Sequence, residues 1–291
     1  MINLAKKLNQ IKFGLIFISM PITAYSIDDI AYLAMHNGYW QVWLMDESGN
    51  NSRQLTNTEY DKNRISWYPK GDALLVSGHQ GELAKVSVTD HAVSEIKLGI
   101  TNNDINDTVI SAYGNYLAFS ERPNGTLYNK LWLYELQTGK KIKIAWSQAG
   151  IQHDPVFSKD DKYLYFLSGN NKQTHDIWKY NIKTLSLEQI TAGDFYNFDI
   201  SVSTNNKLAF SSNRSGNYEI WAETKNGYSK LTDNLSLDGR PTWSNDNKSI
   251  YFESTRDGNV NIWKKTLNEN KKPVRITNHE DGARYPLVRP K

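Results

Sequence analysis

Between residues 240 and 277 the apolar positions fall into four short runs, 241–244, 249–254, 261–265 and 274–277. The turn-forming stretches Asn245-Asp246-Asn247 and Arg256-Asp257-Gly258, and a Lys/Asn-rich segment, separate them. β-Branched and aromatic side chains in short runs, divided by Asn, Asp and Gly, predict four β-strands joined by hairpins. The same unit recurs along the chain. The tryptophan of its Ile-Trp pair returns as Trp43, Trp132, Trp178, Trp221 and Trp263, the last three intervals being 46, 43 and 42 residues. The 89-residue gap between Trp43 and Trp132 holds a degenerate copy, with Leu83-Ala84 in place of the pair. A second marker, in the first run of each unit, returns as Trp67, Ile110, Phe157, Val202, Trp243 and Val288, about 44 residues apart. Gly38, Gly81, Gly216 and Gly258 supply the tight turn before the Ile-Trp strand. No stretch beyond residue 26 has an amphipathic helical period.

Four strands per unit and six units predict an all-β fold: a six-bladed β-propeller of four-stranded blades. Residues 27–291 provide 265 positions, against six units of about 44. The array begins at the second strand of a blade, 30–34, and ends on a lone first strand, 285–290. Three strands at one end and one at the other make one complete blade, so the C-terminal strand is expected to close the ring and leave no open sheet edge.

The first 26 residues follow another rule. Lys6, Lys7 and Lys12 precede an apolar run from Phe13 to Ile22, and Ala24-Tyr25-Ser26 has a small-x-small cleavage pattern. This predicts a secretory signal peptide over residues 1–26, cleaved after Ser26, with the propeller over 27–291. The run is shorter than the roughly 20 residues that span a bilayer, and no second one follows, so no membrane span is expected after cleavage. Export from a bacterial cytoplasm places the body in the periplasm. The chain has no Cys, which excludes disulfides, thiolate metal sites and cysteine nucleophiles. Its net charge of +3 belongs to the leader: taking its three lysines from 34 basic residues leaves 31 against 31 acidic. A neutral body lacks the basic stripe that nucleic-acid binding needs.

The segment Asp238-Gly239-Arg240-Pro241 with Trp243-Ser244 and Asp246, followed by Tyr251-Phe252, Ser254, Arg256, Gly258 and Ile262-Trp263, resembles the repeat of the TolB-like six-bladed propellers. Ser211-Ser212-Asn213-Arg214-Ser215-Gly216 with Ile220-Trp221, and Asp154-Pro155 with Phe157-Ser158 and Asp160, match it as well. The resemblance covers essentially all of 27–291. It implies an exported envelope protein whose partner is a peptidoglycan-associated, Pal-like lipoprotein or an envelope assembly. The family's namesake carries an N-terminal α/β domain before its propeller. Here the first blade follows the leader directly, so that domain is expected to be lacking.

First strands line a propeller's channel. The residue three before each first-strand marker is therefore a candidate channel group: Arg64, Asp107, Asp154, Asp199, Arg240 and Tyr285, with His153 and Arg284 adjacent. This alignment predicts a channel mouth that is acidic on blades three to five and basic on blades two, six and one. Such converging polar groups form a binding-site candidate. Each Asp is also expected to bond amides of its own turn. Oxygen ligands suit Ca²⁺, so the three carboxylates are a candidate calcium site, although no Asp-x-Asp-x-Asp-Gly loop is present. None of the six His stands in a metal-enzyme motif, and no nucleophile elbow or phosphate loop occurs. His36 and His79 are read as surface turn positions, the Ile-Trp tryptophans as core, and Trp40, of opposite strand parity to Trp43, as an exposed interface anchor.

Two function classes follow. The first is a non-enzymatic, monomeric interaction module of the cell envelope, taking a partner protein or peptide on the channel-mouth face, with no cofactor required. The alternative is a hydrolase or lyase acting on polysaccharide or peptide through Asp107, Asp154 and Asp199, since glycoside hydrolysis needs two carboxyls roughly 5–10 Å apart.

Overall fold

The computed structural model describes residues 29–78, 81–98, 105–122, 128–144, 150–171, 174–269 and 271–291. The leader and His79 lie outside the described residues. Within them, 24 strands form six four-stranded antiparallel sheets, each a blade. The inner strands of blades two to six are Lys62–Trp67, Ile105–Ile110, Ile151–Phe157, Asn197–Val202 and Asp238–Trp243. Blade one takes its inner strand, Ala283–Val288, from the C-terminus. It pairs with Ile30–His36 in the register Ile30↔Val288, Ala31↔Leu287, Leu33↔Arg284 and Ala34↔Ala283. The predicted closure is thus what the structure contains, and Ile30, Ala31, Tyr32, Leu33 and Ala34 are completely buried behind the closing strand. No helix among the described residues is long and apolar enough to cross a membrane.

The repeat is a packing device. Six hydrophobic clusters fill the six spaces between neighbouring blades; Leu131, Phe157, Leu164 and Phe166, for instance, fill the space between blades three and four. The Ile-Trp tryptophans stand directly across from the second-strand aromatics, as Trp178↔Phe166, Trp221↔Phe210 and Trp263↔Phe252. Trp263 is buried, and Trp43, Trp132, Trp178 and Trp221 are half-buried against these clusters. The fourth strand ends early for a local reason. In blade six it is Val274–Arg275 rather than 274–277, because the hydroxyl of Thr277 accepts the N–H of Ile262 at 2.8 Å and donates to Asn261. Thr56, Thr191 and Thr232 accept from Val42, Ile177 and Ile220 in the same way.

The hairpins between first and second strands are bonded to one another across blades three to six. The Asp161 carboxylate accepts the amides of Ala112 and Tyr113 on the preceding blade. Asn206 accepts from Lys159, and Asn247 from Thr204. Each side chain thus bonds the backbone of a turn it does not belong to, and these Asx residues clamp blades three to six together at that end of the channel.

Candidate functional site

Five of the six inner strands carry a β-bulge with a residue in the left-handed region at the same place: Asp107 (φ 52°), Asp154 (54°), Asp199 (56°), Arg240 (47°) and Tyr285 (57°). Asp tolerates this conformation; Arg and Tyr adopt it at a cost on the order of 1–3 kcal/mol. The extra residue breaks the alternation of the strand and turns the bulged side chain. In blade two the irregularity falls one step earlier, between Lys62 and Arg64.

Four of the five bulges are held by a carboxylate from the blade before them. Asp107 Oδ2 accepts the amide of Asp154 at 3.4 Å, and Asp154 Oδ2 accepts that of Ile200 at 3.1 Å. Asp199 Oδ2 accepts the amide of Arg240 at 3.2 Å, and Glu253 Oε2 that of Tyr285 at 3.1 Å. Contrary to the expectation from sequence, the aspartates therefore do not bond the amides of their own turns. They staple one blade to the next, because the ring sets each inner strand beside its neighbour's bulge.

Arg64 on blade two and Arg240 on blade six flank the aspartates of blades three to five, and both reach into them. Arg64 reaches from blade two to bond Asp154 at 2.6 Å, Asp107 at 3.2 Å and the carbonyl of Pro155 at 3.1 Å. Burial raises Asp154, but Arg64, with His153 and Arg240, holds the carboxyl below its ordinary 3.8. Arg240 lies 3.7 Å from Asp199 and 3.5 Å from Glu253, with its guanidinium over the Tyr285 ring at 4.7 Å. Burial lifts Asp199 and Glu253 above their ordinary values against the pull of Arg240, and pushes the Tyr285 phenol up to about 12. Because the guanidinium of Arg64 takes oxygens of both Asp107 and Asp154, this set does not fit a calcium ion. Among the described residues no three His, Asp or Glu converge as metal ligands.

Arg64, Asp154, Asp199, Arg240 and Tyr285 line one cavity of about 200 Å³. It occupies the channel between the bulges and the hairpins that follow the inner strands, hence on the hairpin face. Asp107, His153 and Arg284 are not part of its lining. His153 and Arg284 precede the bulges and belong to the opposite, front face, where loops lead into the inner strands. There Arg284 covers Trp40 at 3.9 Å, so Trp40 is half-buried rather than an exposed anchor. His36 ends a strand edge-on to Trp43. Sequence reading missed Glu253 and Lys159. Glu253 had a signal: it stands opposite Gly239, where blades three and five have Ser120 and Ser211, and the glycine leaves room for its carboxylate.

On the front face His153, His175, Tyr196, Phe198 and Tyr218 form a half-buried aromatic cluster with neighbouring ring centroids 4.9–5.9 Å apart. Burial, reinforced by His153, lowers His175 to about 4 from the ordinary 6.5. The contribution of His175 to stability is therefore full above pH 6.5. It declines as pH falls toward about 4, because the unfolded chain takes up the proton first. A His175→Gln variant is expected to show a flatter melting temperature between pH 7 and 4.5, measured by circular dichroism.

No protein-family model and no curated protein sequence matches the chain. Solved structures do. TolB from Acinetobacter baumannii superposes with a TM-score of 0.78 at 16% identity, over 91% of this chain and 67% of that one. TolB from Agrobacterium tumefaciens gives 0.70 at 19%, over 86% and 88%. A chain of the nidogen/laminin complex gives 0.70 at 6%, over 90% and 98%. With the six blades and the closing strand in place, the chain has the fold of the TolB-like six-bladed propellers.

Proposed function

We propose that the protein is an exported interaction module of the periplasm, binding an envelope partner of the Pal-like lipoprotein class on its front face. The observation that carries this reading is a rigid loop presenting bare apolar side chains. In the connection from blade five to blade six, Leu235 is fully exposed and Leu237 largely so. Asn234 bonds Glu219 Oε1 and Asp238 Oδ2 at 2.8 Å each, the amide of Ser236 bonds Asn234 Oδ1 at 2.7 Å, and Asn217 Nδ2 bonds the carbonyl of Asn234 at 3.0 Å. A leucine held in place before binding loses little entropy on docking. The aromatic cluster of blades four and five and the Arg284–Trp40 stack lie on the same face, and aromatic and Arg side chains are the residue types that anchor interfaces. The fold supports the same reading, and the leader pattern supports export. The hydrolase reading is not favoured: Asp107, Asp154 and Asp199 are engaged by arginines and neighbouring amides.

Leu235→Asp is expected to weaken partner binding at least about tenfold with the melting temperature unchanged. A photo-crosslinker at position 235 is expected to capture an envelope lipoprotein in the periplasmic fraction, and one at Lys248 on the hairpin face is not. Equal capture at both positions, or a protein that stays in the cytosol, overturns the reading.

A further inference from the structure

The two ends of the ring carry opposite charge. The described residues of the front-face loops include eight acids against four lysines and arginines. The turns of the hairpin face reverse this balance, and do so in one sector. In blades three to five they hold Lys140, Lys159, Lys162, Lys183, Lys207 and Lys225 against Asp160 and Asp161, an excess of four. Counting the strand residues next to these turns adds Lys141, Glu135 and Glu223 and leaves an excess of three. The corresponding turns of blades six, one and two carry six cations and seven acids. Lys162 pairs with Asp160 at 3.1 Å, and Asp161 is buried as a clamp. The other five lysines make no ion pair and no side-chain hydrogen bond among the described residues, and all but the half-buried Lys207 are exposed.

Bare apolar side chains stand in the same sector. Among the described residues eight large hydrophobic side chains are exposed, and the three that lie in hairpin-face turns, Tyr113, Leu136 and Leu185, all belong to blades three and four. Hydrogen bonds join the segments that carry them into one surface. The amide of Leu136 bonds the carbonyl of Asn115, that of Tyr113 bonds Asp161, and that of Ile182 bonds the carbonyl of Lys162. Leu185 is the informative member. It is 61% exposed and left-handed, with φ 59°, at the position where the same turn of blade three has Gly139. A branched side chain is strained in that conformation, and no burial of Leu185 offsets the strain.

We propose that the hairpin face of blades three to five docks on the surface of an anionic lipid bilayer. Tyr113, Leu136 and Leu185 enter the headgroup boundary, and the lysines between them lie against lipid phosphates. The tips stand on three separate turns with cations between them, so a protein partner would need three separate pockets. A bilayer admits each tip singly. The acidic front face is turned away from the lipid, which leaves it open to the partner of the front-face reading. The docking surface itself does not depend on that reading.

The chain without its leader, residues 27–291, holds all 24 strands and is the form to use, since the apolar leader would itself enter lipid. It is sedimented with vesicles of phosphatidylcholine containing about one-third phosphatidylglycerol, and with vesicles of phosphatidylcholine alone. Binding to the anionic vesicles is expected to be at least about tenfold stronger and to weaken as salt is raised. Each lysine near such a surface contributes about fivefold, so Lys140→Glu combined with Lys183→Glu is expected to weaken binding at least about 25-fold. Lys271→Glu combined with Lys272→Glu makes the same charge change on blade six and is expected to cost less than about twofold. Leu185→Gly separates docking from folding: it is expected to leave the melting temperature equal or higher, because glycine relieves the left-handed strain, and to weaken binding several-fold. Equal binding to both kinds of vesicle or to neither, equal losses from the two lysine pairs, or wild-type binding by Leu185→Gly overturns the proposal. So does capture of an acidic protein through Lys140 and Lys183 by a chain that does not sediment with anionic vesicles.

Discussion

Replacing Arg64 with methionine is expected to lower the unfolding free energy by about 3–5 kcal/mol at neutral pH, the range for removing one partner of a buried ion pair. The methionine keeps most of the aliphatic volume but leaves Asp154 and Asp107 without their cation. Asp154 is itself buried, and its second oxygen already receives the amide of Ile200, so it cannot turn to water without releasing a bulge of the next blade. The pH dependence separates this cause from a packing defect. In the wild-type chain burial raises the Asp154 carboxyl, and Arg64, with His153 and Arg240, more than offsets it, so the folded value lies below 3.8. That stability is present above about 3.8 and is lost as pH falls through the folded value. Without Arg64 only the pulls of His153 and Arg240 oppose burial, so the folded value moves up and less stability is lost as pH falls. The deficit of Arg64→Met relative to wild type is therefore expected to shrink as pH is lowered from 7 toward 4, measured by urea midpoints at constant slope. Arg64→Met combined with Asp154→Asn is expected to recover part of the loss at pH 7. A deficit that is independent of pH and not relieved by the second substitution would show that Arg64 acts through volume alone.

The blade count and the closure were legible because they depend only on spacing. Two markers, the Ile-Trp tryptophan and the first-strand aromatic or aliphatic residue, share one period, and neither needs a side-chain direction to be known. Directions were not legible. Strict alternation assigns every second residue of a strand to one face, and the bulges at Asp107, Asp154, Asp199, Arg240 and Tyr285 break that rule where the chemistry sits. Nothing local marks Arg240 or Tyr285 as left-handed; their conformation is imposed by Asp199 and Glu253 on the preceding blade, 41 and 32 residues away. The same reason explains the aspartates. Their amide partners are set by how one sheet is rotated against the next, which no single repeat encodes. Trp40 was misplaced because parity was judged against Trp43 alone, without the arginine that the C-terminal strand brings over it.

A chain ending at Gly282 is expected not to fold into a stable propeller. Removing 283–291 takes away the inner strand of blade one and leaves Ile30–His36 as an open edge, an aggregation template. It uncovers five completely buried residues, Ile30 to Ala34. At roughly 1.5–3 kcal/mol for each large apolar side chain, this alone approaches the whole stability of a typical domain, about 5–15 kcal/mol. The loss spreads to both neighbours. In blade two the indole of Trp67 loses the carbonyl of Leu287, its acceptor at 3.0 Å; in blade six Glu253 loses the amide of Tyr285. The channel loses the ring that Arg240 covers. The truncated chain is expected to aggregate on size exclusion and to lack the near-ultraviolet signal of fixed tryptophans. A permuted chain, with 283–291 joined ahead of Asp29 through a short flexible linker, restores the same strand from the other end. It is expected to melt within a few degrees of the intact protein. If the truncated chain melts cooperatively at the wild-type temperature, the ring does not depend on its closing strand. If the permuted chain also fails, the C-terminal segment contributes something other than the inner strand of blade one.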